Sequence, residues 1–235
     1  MTIIADNQEY ASKIKALLGT RHEPVAVKLI GEGEGIPASC IEPEGQISHC
    51  QAVFRAKGGE CLSMPYAKHA CHVGTSAMNM SETPDKVASG EFHNNIGIHN
   101  SPAAAGKMIS ERMIPPKKSI GEIVCPLSKA DFKPDVVAII DIPERIYWIE
   151  AASTAEGGGR AHFSTSPFQC VCEDVVSVPI VTGRPNVSFG CYGCRRKTDM
   201  RPEEMVCGIP YADIPHLVTQ LDKYGPGVMA KAKRN

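Results

Sequence analysis

The chain has 235 residues, a formal net charge of −1 and 43% hydrophobic residues, which is enough to build a substantial globular core. With this net charge the chain has no surplus of basic residues of the kind that nucleic-acid binding proteins use. No apolar run approaches the roughly 18 residues of a membrane-spanning helix. The first residues lack the basic start and long apolar stretch of a signal peptide, so we expect a cytoplasmic protein.

Hydrophobic spacing predicts most secondary-structure elements in the first half of the chain. The first predicted helix carries apolar residues on one face and ends before Gly19, and Ser101 followed by Pro102 has the chemistry of a helix start. The predicted elements are, in chain order, a helix over 6–18, a strand over 25–30, a helix over 47–56, a strand over 61–64, a helical segment that begins at Cys71, and a helix over 101–113.

The second half repeats the alternation of strands and helices. An unbroken apolar run over 135–141 predicts a buried strand, a helix over 143–155 is stopped by three glycines, a brief strand covers 187–189, and a final helix covers 210–224. This alternation predicts an α/β fold of mixed sheets with flanking helices, with an α+β arrangement as the alternative. The glycine-rich loop 31–35 carries carboxylates and lacks the Lys-Ser/Thr ending, so no phosphate-binding loop is predicted.

The spacing between glycines and cysteines suggests an internal duplication. Gly58 precedes Cys71 by the 13 residues that also separate Gly159 from Cys172, and shifting the match by one glycine selects Cys170 instead. If the duplication is real, Cys71 and one of the two later cysteines approach a shared site from opposite halves of the protein.

The same spacing guides the prediction of domain organisation. We expect one domain over residues 1–235, which the duplication would divide into two similar halves, over about 20–115 and 120–225, around a cluster site. The alternative is that helices stopped by glycine recur here by coincidence, because helix ends of this kind are common.

The ten cysteines are the most informative feature of the composition. In a reducing cytosol, cysteines bind metal or carry out redox chemistry more often than they form disulfides. In the stretch 189–194, FGCYGC, a glycine precedes each of two cysteines, so that both thiolates can bind one metal or one cluster. A structural zinc site normally has a second cysteine pair of matching spacing, which this chain lacks. A thioredoxin-like dithiol would begin a long helix, and the polar residues after Cys194 make that interpretation weaker.

Several other side chains have two interpretations. His49, His69 and His72 adjoin cysteines, and each is either a metal ligand or outer-shell donor, or an ordinary imidazole. The basic run 195–197 either offsets the negative charge of a cluster or forms a solvated turn. Four further cysteines lack a partner in the sequence pattern and are interpreted as small hydrophobic residues or spares: Cys40, Cys61, Cys125 and Cys207.

Four short motifs between about residues 24 and 224 are specific as a set. They are CQA at 50–52 after the strand Val-Ala-Val-Lys, PDVV at 134–137, GCYGCR at 190–195, and EM at 204–205 leading to GIP at 208–210. With this set the chain resembles the archaeal cysteine-rich family ArCR, domain of unknown function 169. The activity of that family is not known, so the resemblance defines a site better than it defines a substrate.

The resemblance implies a set of ligands for a cofactor. Four thiolates are what a [4Fe–4S] cluster needs. Cys170 and Cys194 are additions beyond the common pattern and are less certain metal ligands; they leave open a larger or second cluster, or the exchange of a ligand. Zinc is the alternative to a cluster. The recurring cysteines of the family, which would bind the metal, fall on Cys50, Cys71, Cys172 and Cys191.

We therefore expect an iron–sulfur redox protein of the cytoplasm. It would transfer electrons or reduce a small molecule with the help of its cluster, as an iron–sulfur oxidoreductase does. The alternative is a binding or sensor module that a metal or cluster stabilises and that turns over no substrate. The expected partner is a redox protein or a small molecule rather than nucleic acid or a membrane; a homo-oligomer is left open, and no catalytic side chain is assigned.

Overall fold

Six strands form one sheet within residues 2–232, which the computed structural model describes, with side chains described up to residue 225. The order of the strands across the sheet is β2-β3-β1-β4-β6-β5, and each neighbouring pair is antiparallel. The strands are β1 (Val25–Ile30), β2 (Leu62–Pro65), β3 (Gly121–Pro126), β4 (Val136–Asp141), β5 (Asn186–Ser188) and β6 (Met205–Pro210).

Helices pack on both sides of this sheet. The described helices are α1 (Ile3–Leu18), α2 (His49–Ala56), α3 (His72–Ala77), α4 (Asp85–Ala88), α5 (Glu91–Asn94), α6 (Pro102–Ser110), α7 (Pro143–Thr154), a π-helix (Cys170–Ser177), α8 (Val178–Thr182), α9 (Tyr192–Lys197) and α10 (Ile214–Ala232). Among the helices within residues 2–232, we find none with both the length and the apolar character to cross a membrane.

The two faces of the sheet have separate cores. Along β1, Val25 and Val27 point to one face, which α2, α3, the π-helix and α9 cover, and which we call the cysteine face. Ala26 points to the opposite face, which α1, α7 and α10 cover, and which we call the far face. Because both faces are buried, β4 is apolar at nearly every position, as its unbroken sequence pattern predicts.

The predicted α/β class with helices flanking a sheet is confirmed. Strand β1 has the predicted bounds, and α2, α6 and α7 lie within two or three residues of their predicted bounds. The predicted start of the last helix at residue 210 is wrong, because that residue ends β6 and α10 begins at Ile214. Strands β3 and β6 were not predicted.

Gly208 explains why β6 escapes a prediction from sequence. Glycine and proline within six residues are typical of a turn. In the structure, however, a Cβ atom on Gly208 would stand 1.9 Å from the carbonyl oxygen of Val175 in the π-helix. The glycine therefore marks a place where the backbone of a helix lies directly against the backbone of a strand.

The connection order of the strands repeats between the two sides of the sheet. From the centre outwards the order is β1, β3, β2 on one side and β4, β6, β5 on the other. In this order Cys71, which follows the edge strand β2, corresponds to Cys191, which follows the edge strand β5. The glycine spacing instead aligned Cys71 with Cys172 or Cys170, and the two-half organisation stays a prediction.

The contact at Gly208 leads to a stability prediction. Gly208→Ala should lower the free energy of unfolding by about 1–3 kcal/mol or more, because the new methyl group forces β6 and the π-helix apart. Gly157→Ala is the control, since a Cβ there meets nothing within 4 Å. Urea unfolding monitored by circular dichroism measures the stability of both variants. Equal unfolding midpoints would show that the backbone contact at Gly208 is not close enough to exclude a methyl group.

Candidate cysteine site

Six of the ten free cysteines gather on the cysteine face, close to the starts of four helices. Cys50 is the second residue of α2, Cys71 is the N-cap of α3, and Cys191 is the N-cap of α9. The π-helix contributes two more near its start, and α9 contributes one from its first turn: Cys170, Cys172 and Cys194. The backbone N–H groups of a helix start favour negative charge on a nearby thiol.

A capping box fixes the first turn of α2 and so the position of Cys50. The Ser48 hydroxyl accepts a hydrogen bond from the Gln51 N–H at 3.3 Å, and the Gln51 side-chain oxygen accepts one from the Ser48 N–H at 3.0 Å. Cys50 then lies on the inner face of the helix, among the buried residues of the cysteine face.

Cys191 is the centre of the first group of contacts. Its sulfur accepts a hydrogen bond from the Cys194 N–H at 3.2 Å, and the thiols of Cys170 and Cys50 lie close enough to it to act as further donors. These donors lower the pKa of Cys191 against the effect of burial, and the same contacts with Cys191 raise the pKa of Cys50 and Cys170. Cys191 is therefore the thiol of this group that these contacts favour most strongly as a thiolate.

Cys71 and Cys172 form a second group, in which both sulfurs lie close to Gly74. A Cβ atom on Gly74 would stand 3.6 Å from the Cys172 sulfur and 3.7 Å from the Cys71 sulfur, so a side chain added there would contact both sulfurs. Burial, followed by the charges of Cys71 and Cys191, raises the pKa of Cys172. Cys172 thus connects the second group to the first.

Neighbouring residues fix the conformation of the turn FGCYGC. Gly190 has φ of 77°, and a Cβ atom on it would stand 2.4 Å from the sulfur of Met200. The Arg195 guanidinium donates to the carbonyl oxygens of Phe189 (2.9 Å) and Glu204 (3.1 Å). Arg195 therefore holds the backbone of the turn, and its hydrogen bonds point away from the thiols.

Two of the three histidines that adjoin cysteines lie beside the buried carboxylate of Glu122. His49 Nδ1 lies 2.7 Å from Glu122 Oε2, its Nε2 lies 3.2 Å from the carbonyl oxygen of Val171, and His69 Nε2 lies 3.8 Å from Glu122 Oε1. Burial acts to raise the pKa of Glu122, but the two histidines outweigh it and the pKa is lowered. His72 is exposed. His49 therefore connects three elements of the cysteine face: α2, β3 and the π-helix.

Sequence reasoning missed Glu122 and the π-helix. Glu122 is an acidic residue inside a strand that is otherwise apolar, and it is 1% exposed. Recognition of β3 would have identified it as a buried charge that needs a partner. The π-helix has no sequence signal that we can name.

The remaining cysteines lie outside this site. Cys125 and Cys207 belong to the core of the far face. Cys61 extends the pairing of β2 with β3 to lie opposite Cys125, and Cys40 precedes a bridge between Ile41 and β2. Burial, then the charges of Cys61 and Cys40, raises the pKa of Cys125.

The donor atoms do not converge on one point. Among residues 2–225, no group of three or more His, Cys, Asp or Glu side chains has the geometry to hold a single metal ion. The four cysteines that the family resemblance implies instead form two groups, Cys50 with Cys191, and Cys71 with Cys172 around Gly74. Cys170 and Cys194 both contact members of the first group.

Six thiols on one face of an antiparallel sheet, enclosed by helices, define a cysteine-rich α/β protein. The chain belongs to the uncharacterised ArCR family, domain of unknown function 169, whose family model matches residues 13–220. This confirms the predicted family. The chain is also similar to an uncharacterised protein of Methanocaldococcus jannaschii, with 26% identity over 219 residues, which are 92% of this chain and 94% of that protein. No solved structure matches the chain.

The buried pair of His49 and Glu122 leads to a prediction about acid stability. Glu122→Gln should cost about 3–5 kcal/mol at neutral pH, because it removes the charged partner of a buried histidine. The pKa of Glu122 is lowered in the folded protein, so its stabilisation is complete above the unfolded value of 4.5 and is lost as the pH falls below it. The wild type should therefore lose stability more steeply than the variant below pH 4.5.

Urea unfolding at a series of pH values measures this difference. Glu111→Gln, which changes a side chain that is 66% exposed, is the control and should behave as the wild type does. Parallel acid profiles for the wild type and Glu122→Gln would contradict the pairing of His49 with a charged Glu122.

Proposed function

We propose that the protein is an iron–sulfur redox protein whose cluster is bound by Cys50, Cys71, Cys172 and Cys191. The observation that carries the proposal is the gathering of cysteines from four separate helix starts on one buried face of the sheet. The four that the family resemblance implies are all among them, although they stand far apart in the sequence.

The donor set fits the chemistry of a [4Fe–4S] cluster. Each iron of such a cluster takes its own thiolate, so the ligands surround the cluster and need not meet at one point. Two separate groups of thiols are compatible with that arrangement. A structural zinc ion would instead need its ligands around one point. Among the described residues, no three His, Cys, Asp or Glu side chains are arranged in that way.

Two glycines lie next to sulfurs of the proposed ligands. A Cβ atom on Gly74 would approach two of the four sulfurs within 3.7 Å, and one on Gly193 would approach the Cys191 sulfur at 3.8 Å. The N–H of Cys194 already donates to the Cys191 sulfur. Hydrogen bonds of this kind stabilise thiolates and help to set the reduction potential of a cluster.

The burial of the ligands favours electron transfer from one side. Cys50, Cys172 and Cys191 are buried, whereas Cys71 is half-buried. When bound, the cluster would supply one-electron transfer, and Cys71 is its ligand nearest to solvent. A redox partner protein, or a small molecule to be reduced, would approach on that side. The proposal requires reduced thiols and therefore extends to a cytoplasmic location.

Cys170 and Cys194 have a supporting role in this proposal. The Cys170 thiol donates to the carbonyl oxygen of Ser166 at 2.9 Å and lies beside the Cys191 sulfur, and Cys194 lies 3.9 Å from the Met200 sulfur. Both side chains therefore have partners other than a metal. They contact ligands and would adjust the potential of the cluster, or would join it if the cluster is larger.

Purification without oxygen tests the proposal directly. We expect brown protein with about four iron atoms and a similar amount of acid-labile sulfide per chain. Iron and sulfide analysis together with metal emission spectroscopy measures this. Colourless protein that contains stoichiometric zinc and no sulfide would contradict it.

A pair of matched serine variants tests the ligand assignment. Cys191→Ser should lose most of the iron, because ligand thiolates couple metal binding to folding, whereas Cys194→Ser should retain it. Cys207→Ser is the control, since Cys207 is also buried but lies on the far face. Iron per folded chain is the quantity to compare; equal iron in the Cys191 variant and the control would show that Cys191 is not a ligand.

A further inference from the structure

A cavity of about 510 Å³ lies between the end of α7, the start of α10 and the turn before β5. Its volume is in the range of small-molecule binding sites. The three glycines 157–159 that follow α7 form part of its wall, and a Cβ atom on any of them would meet nothing within 4 Å. Within the described residues no cysteine lines this cavity, so it is separate from the cysteine site.

One wall of the cavity carries two carboxylates. Glu150 stands in α7 and Asp213 stands directly before α10, and these two helices pack against each other. Both side chains are half-buried, and burial raises the pKa of each. Among residues 2–225, neither carboxylate takes part in a hydrogen bond or a salt bridge. This acidic wall therefore favours a positively charged group inside the cavity.

A second wall carries two guanidinium groups. Arg160 follows the three glycines, and Arg184 stands two residues before β5. The loop that carries Arg160 is tied to β5, because the Asn186 side-chain nitrogen donates to the Ser164 carbonyl oxygen (2.7 Å) and its oxygen accepts from the Ser164 N–H (2.9 Å). Within the part of the chain that the structure describes, all salt bridges of arginine involve other arginines than these two. This basic wall therefore favours a carboxylate or another anion.

The other polar groups of the lining keep this division into an acidic and a basic wall. Two histidines, His162 and His216, also line the cavity, and His216 Nδ1 lies 3.8 Å from Glu156 Oε2. The Gly158 N–H donates to the carbonyl oxygen of Thr154 at 2.8 Å. The backbone N–H groups of residues 159–162, in contrast, donate to no other group of the described residues. The loop of the basic wall therefore also offers backbone donors.

We propose that this cavity binds a short peptide, of two or three residues, by its two charged ends. The terminal carboxylate pairs with Arg160 and Arg184, and the carbonyl oxygens of the peptide accept from the N–H groups of residues 159–162. The terminal ammonium pairs with Glu150 and Asp213. A sphere of the cavity's volume is about 10 Å across, and two or three residues of extended chain span about 7–10 Å. A ligand with one charge, or a single amino acid, would leave one wall without a partner.

Calorimetric titration of the purified wild-type protein at pH 7 with dialanine and its two capped forms tests this inference. N-acetyl-dialanine lacks the ammonium group, and dialanine amide lacks the carboxylate. We expect dialanine to bind about tenfold or more tightly than either capped form, because each of them leaves the charges of one wall unmatched. Equal affinity for dialanine and either capped form, or no binding of dialanine at millimolar concentration, would overturn the proposal.

Two double variants locate the site. Glu150→Gln with Asp213→Asn should abolish the preference for dialanine over N-acetyl-dialanine and keep the preference for dialanine over its amide, because it removes the partners of the ammonium group alone. Glu144→Gln with Asp222→Asn is the control and should keep both preferences, since these exposed residues belong to α7 and α10 but do not line the cavity. A preference over N-acetyl-dialanine that survives in the first variant would also overturn the proposal. Because the wild-type comparison needs no variant, a folding defect does not prevent the test. Iron content does not enter either result, so this proposal and the cluster proposal stand or fall separately.

Discussion

The arrangement of the cysteine face depends on one buried interaction, the contact of His49 with Glu122 and with the carbonyl oxygen of Val171. It joins the start of α2, the centre of β3 and the start of the π-helix, which are distant in sequence. His49 adjoins Cys50, and Val171 stands between Cys170 and Cys172. A single imidazole therefore fixes the relative positions of three thiols, and its partner Glu122 is held by β3, a strand with neighbours on both sides. Partners of this kind are expected behind a metal site, where they orient the elements that carry the ligands.

The thiols themselves would be unfavourable neighbours as thiolates, since like charges in a buried site raise the pKa of one another. Contacts at a helix start lower the pKa of Cys191, and the same contacts raise the pKa values of Cys50 and Cys170. A cationic metal centre would remove this conflict, because it would stabilise several thiolates at once. The same physics explains why the cysteines begin helices: a backbone N–H can reach a sulfur there, as that of Cys194 reaches Cys191.

Much of the fold could be predicted from sequence because its elements follow local rules. Strand β1 and the capped helix α6 carry their signals within a few residues, and Ser101 accepts the capping hydrogen bond from the Ala104 N–H. Strand β6 could not be predicted, since Gly208 looks like a turn residue until the π-helix is packed against it. For the site, the resemblance to the family named four cysteines that the structure brings together in two groups. The buried Glu122 depends on tertiary contacts that no local pattern records.

The central claim is that these cysteines bind iron and sulfide rather than a single metal ion. X-ray absorption at the iron edge of protein purified without oxygen tests this most directly, because it reports the atoms around each iron. The account predicts sulfur as the only near neighbour of iron, with a second shell of iron at the short distance typical of a cluster. Iron surrounded by nitrogen or oxygen, or iron with sulfur neighbours but without another iron nearby, would contradict it.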